Sequence, residues 1–298
     1  MTANALTWRA ALLALAVVAV WGTNFVVIKV ALAHLPPLTF AALRFTFALL
    51  PAVFFLKKPD APWRNLAAYG VLIGLGQFGM LYLAMQHDIS PGLASLVVQV
   101  QVFFTIGLSM WLTGERVKRF QIAALVLATG GLAVILMHTD GSTTPLGLGL
   151  VLIAAASWAG GNMVQRSTPG VNSLAYVVWA SLFSIPPLLI LALVFEGPER
   201  MLIGVQNADI GTWGAVLWQS VGNTLFGYAA WGWLLARYPA ATISPLAFFV
   251  PVFGMAASAA LLGEPMQDWK LMAAGLVLGG LALNMFWPML RRRQVQAS

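Results

Sequence analysis

The chain contains no cysteine and only three histidines, His34, His87 and His138, among 298 residues. Disulfides, thiol catalysis and cysteine metal ligands are therefore excluded, and the histidines show no metal-ligand spacing. Charge is scarce as well: 8% of residues are Asp, Glu, Lys or Arg, against about 25% in an average soluble domain. So few charges cannot cover a water-soluble surface. Disorder is excluded by the opposite property, since 60% of the chain is hydrophobic. No Asp or Glu lies deep within a long apolar run; Glu115 and Glu264 stand at the ends of such runs. A buried carboxylate is the usual proton relay or counter-charge for a lipophilic cation. Its absence argues against cation antiport and predicts substrate exchange that needs no proton gradient.

What the chain has instead is apolar length. Mean hydropathy is +0.85, and a transmembrane helix takes about 20 residues. Breaks at Pro, Gly and charge predict ten spans, near 10–32, 38–56, 65–85, 92–112, 120–137, 146–165, 173–195, 212–234, 241–262 and 270–288. His34-Leu35-Pro36-Pro37 ends the first, Gly114-Glu115-Arg116 follows the fourth, and Thr139-Asp140-Gly141-Ser142 marks the middle. The longest loop is expected near 196–211. Barrel strands would alternate over about ten residues; these runs are longer and continuous. Ala31-Leu32-Ala33 loosely matches a signal cleavage site, but the stretch before it is too long and Trp21-Gly22-Thr23-Asn24 interrupts it.

A net charge of +7 would suggest nucleic acid in a soluble protein. Here it reflects excess Lys and Arg in cytoplasmic loops. With the N-terminus inside, the cytoplasmic face receives twelve of the sixteen basic residues: Arg9, Lys57, Lys58, Arg64, Arg116, Lys118, Arg119, Arg166, Arg237, Arg291, Arg292 and Arg293. Only Arg200 and Lys270 fall outside, which predicts that both termini are cytoplasmic.

The two halves resemble each other. Residues 82–115 align without gaps onto 231–264, with Tyr82 on Trp231, Ser95 on Ser244, Gly114 on Gly263 and Glu115 on Glu264. Trp21 through Lys29 lies over Trp158 through Arg166. Five spans is an odd number, so residues 141–298 must enter the membrane upside down relative to residues 1–140. Inverted repeats build many transporters, with the substrate near the midplane between them. The expected fold is an all-α polytopic membrane protein of ten transmembrane helices in two inverted five-helix repeats.

Trp21-Gly22-Thr23-Asn24 with Lys29, Arg44 after Pro36-Pro37, Gly114-Glu115 and Gly263-Glu264-Pro265 together resemble the EamA-type transporters of the drug/metabolite transporter superfamily. Within it the chain is most similar to the YddG-type aromatic amino acid exporters of bacterial inner membranes. The resemblance implies an inner-membrane exporter of small neutral metabolites, with amino acids first, working by alternating access. A multidrug or other metabolite exporter and a non-transporting scaffold are the alternatives. Pro245 and Pro251 stand where the fourth span has Leu96 and Val102, so the halves need not bend alike.

The candidate substrate site is lined by Trp21, Asn24, Tyr82, Gln99, Gln101, Trp158, Asn162, Trp218, Gln219 and Asn223. Polar groups in hydrocarbon are costly unless they are paired or face a wet cavity, and these concentrate in spans one, three, four, six and eight. Asparagine both donates and accepts, which suits a zwitterion, and indole supplies a flat apolar wall. Helix-to-helix hydrogen bonding and plain packing are the competing reading of each residue. Lys29 and Arg44 lie toward the predicted outer ends, where snorkelling or pairing with a carboxylate or helix C-terminal carbonyls is expected rather than substrate binding. Sugar phosphates would want several deep cations. No cofactor, metal or nucleic-acid partner is expected; the partners are a small molecule and membrane lipid, and the oligomeric state is not legible.

Overall fold

A computed structural model of the chain describes residues 6–113, 118–139 and 142–297, without side chains at 113, 240, 241 and 288–297. Gly114, Glu115, Arg116, Asp140 and Gly141 lie outside the described residues. Every described element is helical. Among the described residues, nine helices are long and apolar enough to cross a membrane: α1 (Trp8–Ala31), α2 (Pro37–Phe55), α3 (Trp63–His87), α4 (Pro91–Leu112), α5 (Arg119–Met137), α6 (Pro145–Arg166), α7 (Ser173–Glu196), α9 (Ser244–Leu262) and α10 (Asp268–Trp287). Between α7 and α9, residues 210–237 form one continuous helical run, α8. It falls short of the apolarity of the others because Gln219, Ser220, Asn223 and Thr224 interrupt its middle.

Local chemistry sets the starts of these helices. Proline at the first helical position costs no hydrogen bond, since that N–H has no partner anyway. It begins α2, α4 and α6. Side-chain caps begin others: Asn172 accepts from Ala175 N at 3.0 Å and Asp209 from Thr212 N at 2.7 Å. The expected long loop is instead a surface helix, Pro198–Asn207, and Glu196 is the buried last residue of α7. Proline at the first position and Glu199 in the first turn favour that short helix.

The connections sort to two ends. At one, His34 meets Thr212, Thr144 bonds Asp88, Ser90 bonds Glu264, and Glu196 reaches Leu38. At the other, Thr7 meets Tyr238 and Asn65 reaches Ser167. The chain therefore runs up and down, and α8 spans the bundle from Thr212 to Tyr238. The first end holds Asp88, Glu196, Glu199, Asp209 and Glu264; the second holds Lys57, Lys58, Arg64, Lys118 and Arg166.

Packing recurs at intervals of five helices. α1 packs on α8 and α9, and α6 on α3 and α4; α7 packs on α3, and α2 on α8. α2 pairs with α7, α4 with α9 and α5 with α10. Irregularities recur too. Widened π-helical turns occupy Val71–Gly79 in α3 and Trp218–Phe226 in α8, and tight 3-10 turns occupy Val98–Val100 in α4 and Ser244–Phe249 in α9. The sequence holds two G-x-x-x-G motifs, Gly70–Gly74 and Gly275–Gly279, a spacing that allows close helix approach; the first lets α7 approach, and Ser184 donates to Gly70 O at 2.8 Å. Gly275 and Gly279 touch nothing; the close crossing of α10 on α5 is made by Gly280 and Gly131, where a Cβ on Gly131 would sit 2.6 Å from Val277. The motif points away from the helix that α10 packs on.

The acidic end is latched by carboxylates on helix N-termini. Glu196 accepts from Leu38 N at 2.6 Å, Thr39 N at 3.0 Å and Thr39 Oγ1 at 2.6 Å. Glu264 accepts from Gly92 N at 3.0 Å and Lys270 Nζ at 2.9 Å, and from the hydroxyls of Ser90 and Ser258. A carboxylate at a helix N-terminus satisfies backbone N–H groups that have no partner within the helix. Burial pushes the Glu264 carboxyl up, but the bonds from Ser258, Ser90 and Lys270, with the Lys270 charge, outweigh it and hold the group below the usual glutamate range. The stabilisation from this latch is thus complete above that range and is lost as pH falls through the lowered value. Glu264→Ala strands the buried Lys270 ammonium and is expected to cost about 3 kcal/mol, with Glu264→Gln costing less. Thermal unfolding of the purified protein should show a lower midpoint for both at neutral pH, and the gap to wild type should close as pH falls through the lowered Glu264 value.

Candidate functional site

The ten residues singled out in the sequence do not form one lining. They divide into a buried cluster among α1, α2, α3 and α8 and a second group between α4 and α6, with some members in neither. Tyr82 and Gln219 are both fully buried, and Tyr82 donates to Gln219 Oε1 at 3.1 Å. Asn223 is buried one turn further along α8, and its carbonyl accepts from Trp21 Nε1 at 3.2 Å. Trp21 packs against Trp231 and Tyr228, with ring centroids 5.1 and 6.0 Å away. Asn24, one turn from Trp21, is buried with no partner for Oδ1.

In the second group, Asn162 Nδ2 donates to Gln101 Oε1 at 3.2 Å, and Thr105 donates to the same oxygen at 3.2 Å. A cavity of about 170 Å³ adjoins it, bordered by Thr105, Ser109, Lys118, Gln121 and Arg166. It lies at the basic end, where Ser244–Phe249 buries no residue, whereas Pro91–Val97 toward the acidic end is buried throughout. Gln99 is buried beside this group in the tight turn of α4. Trp158 is half-buried and packs on the main core. Trp218 is 40% exposed and stands apart from the polar cluster, its ring lying beside Gly222.

The sequence reading missed the residue at the centre of the buried cluster. Arg44 is 1% exposed and does not snorkel. Its Nη1 donates to Tyr82 Oη at 3.0 Å and its Nη2 to Thr224 Oγ1 at 3.1 Å. The Phe78 ring covers one guanidinium face at 3.6 Å. Its own carbonyl accepts from Ser220 at 3.0 Å. The available signal was an arginine within an apolar run, by default a functional-site candidate. Thr224 was illegible for a geometric reason. In an α-helix it would lie about 140° from Gln219. The widened turn brings them onto one face, where Thr224 Oγ1 donates to Gln219 O, five residues back, at 2.9 Å. Lys29, by contrast, does what its position suggested: it donates to Met85 O and Gln86 O, the last carbonyls of α3, at 3.1 and 3.0 Å.

Four buried side-chain atoms here have no hydrogen-bond partner: Asn24 Oδ1, Gln77 Oε1, Arg44 Nε and Gln219 Nε2. They belong to α1, α2, α3 and α8. A buried polar atom left unpaired costs about 1–3 kcal/mol, so these two donors and two acceptors are expensive as mere packing. No group of three or more metal-ligating residues occurs among the described residues.

Comparison with known proteins finds similar proteins over nearly the whole chain. A probable amino-acid metabolite efflux pump of Salmonella typhimurium is 40% identical over 286 residues, covering 94% of this chain and 96% of the relative. The protein of the same description from Escherichia coli K12 is 39% identical over 282 residues, covering 92% and 94%. A crystal structure sharing 18% identity has a TM-score of 0.64 over 96% of this chain and 98% of its own, so the overall fold is shared. The family model for EamA-like transporters matches residues 8–137 and again 145–286, one match on each half. The chain belongs to the EamA-like transporter family.

Proposed function

We propose that this protein exports small neutral metabolites, amino acids first, across the bacterial inner membrane by alternating access. The observation that carries the reading is the set of four unpaired polar atoms buried between α1, α2, α3 and α8. Donors and acceptors together, walled by Trp21, Tyr82 and Phe78, match a zwitterion with an apolar side chain. The description of the two relatives near 40% identity as probable amino-acid metabolite efflux pumps supports the same substrate class.

The architecture proposed for this task has ten transmembrane helices, α8 included, in two inverted repeats, residues 1–140 and 141–298. Support comes from packing partners that recur five helices apart and from the paired irregular turns in α3 and α8 and in α4 and α9. α8 is less apolar than the rest because its polar side chains turn into the cluster. A carboxylate-latched end opposite a cavity-bearing end is the asymmetry expected of one alternating-access state. The basic end is assigned to the cytoplasm with both termini. Asn24, Asn223 and Trp158 are assigned to the substrate path, along with Gln99, Gln101 and Asn162 on the cytoplasmic side.

Two outcomes are expected. In a chain without native cysteine, single cysteines at Lys57 and Glu199 should label from opposite faces of oriented vesicles; labelling of both from one side would overturn the topology. In proteoliposomes loaded with amino acids, Asn24→Ala, Asn223→Ala and Trp158→Ala should slow counterflow roughly ten- to a hundredfold at unchanged melting temperature. Trp218→Ala should leave the rate near wild type. Lower melting temperatures with normal transport per folded molecule would show instead that these residues only pack.

A further inference from the structure

Three charged side chains are buried among the described residues: Arg44, Glu196 and Lys270. Glu196 caps a helix and Lys270 pairs with Glu264. Arg44 alone has neither an opposite charge nor a helix terminus. An arginine offers donors only and keeps its charge when buried. Its recorded partners, the hydroxyls of Tyr82 and Thr224, are neutral.

Those partners are also used up. Tyr82 Oη accepts from Arg44, so its own proton goes to Gln219 Oε1. Thr224 Oγ1 accepts from Arg44 and donates to Gln219 O. The order of donors then settles the Gln219 amide: its oxygen is taken, and its Nε2 faces the interior as a donor without an acceptor. Arg44 Nε is a second such donor. Phe78 closes one face of the guanidinium, so an acceptor must come in the plane of the fork, the approach a carboxylate makes.

We propose that Arg44 and Gln219, held in place by Tyr82 and Thr224, bind the carboxylate of the transported molecule. The proposal rests on the transporter reading above and narrows it: a free carboxylate becomes the feature that substrates share. The guanidinium offsets one negative charge and the Gln219 amide adds a neutral hydrogen-bond donor. Between substrates, Arg44 keeps only neutral partners, so an empty site is costlier than an occupied one.

The test uses thermal stabilisation and proteoliposome counterflow of the purified full chain. The probes are the twenty amino acids, their α-amides, simple monocarboxylates and sodium chloride. In wild type, amidation should weaken binding of the best ligand roughly ten- to a hundredfold, the worth of a charge-assisted hydrogen bond. In Arg44→Gln the acid and the amide should bind alike, with affinity for the amide little changed. That collapse of discrimination is a readout that a purely structural role for Arg44 would not produce. If Arg44→Gln does not fold, Gln219→Met should show a smaller convergence of the same sign. An acid-to-amide ratio unchanged in a folded variant overturns the site. So does stabilisation by no carboxylate in the panel, or stabilisation by chloride alone to the same extent. Equal transport of amino acids and their amides by wild type would sink the carboxylate site and leave the exporter reading standing. Transport of monocarboxylates but of no amino acid would do the reverse.

Discussion

A polar group in an apolar bundle has to find its partner inside the protein, because no water is there to supply one. Most of this architecture follows from that constraint. It makes every described element a helix, since helices satisfy their own backbone. It explains why Glu196 and Glu264 sit on helix N-termini, where backbone amides have no partner within the helix. It explains why Lys29 bends onto the last carbonyls of α3. Where the constraint is left unmet, around Arg44, Gln219, Asn24 and Gln77, something other than the resting fold has to meet it.

α8 shows how stability and function divide the same helix. Its length matches its neighbours, yet its middle carries Gln219, Ser220, Asn223 and Thr224, which lower its hydropathy. The widened turn at Trp218–Phe226 loosens backbone geometry there and aligns Gln219 with Thr224. The matching turn in α3, Val71–Gly79, carries Phe78, whose ring covers the Arg44 guanidinium. Widened turns are frequent at functional sites because the extra residue re-aims side chains without breaking the helix. Here a pair of them, one in each half of the chain, brackets Arg44.

The two ends of the bundle differ in the same terms. At the acidic end, carboxylates tie α2 and α4 to α7 and α9, and the start of α4 is buried. At the basic end, the start of α9 is only partly buried and a cavity is bordered by Thr105, which bonds Gln101. Glu264 ties the acidic end through Gly92 N, the hydroxyls of Ser90 and Ser258, and the Lys270 ammonium.

The sequence by itself determined the all-helical membrane class and the approximate place of nine apolar segments, and it carries the likeness of the two halves. These depend on composition and on runs of about 20 residues, which no tertiary contact can alter. It also determined which residue types are costly in an apolar setting, and so pointed to Tyr82, Gln219 and Asn223. Tertiary structure decided which of those groups meet. Trp218 and Gln219 are adjacent in the chain, yet one is exposed and the other buried. Gly275 and Gly279 fit a packing motif, yet α10 crosses α5 through Gly280. Arg44 read as an anchor near a helix end, and the packing of Phe78, Tyr82 and Thr224 around it made it the centre of the site. A helical period of 3.6 residues predicts faces only while the helix stays regular. The turns that place Thr224 beside Gln219 and Phe78 over Arg44 are the irregular ones, and their geometry is set by the helices packed around them.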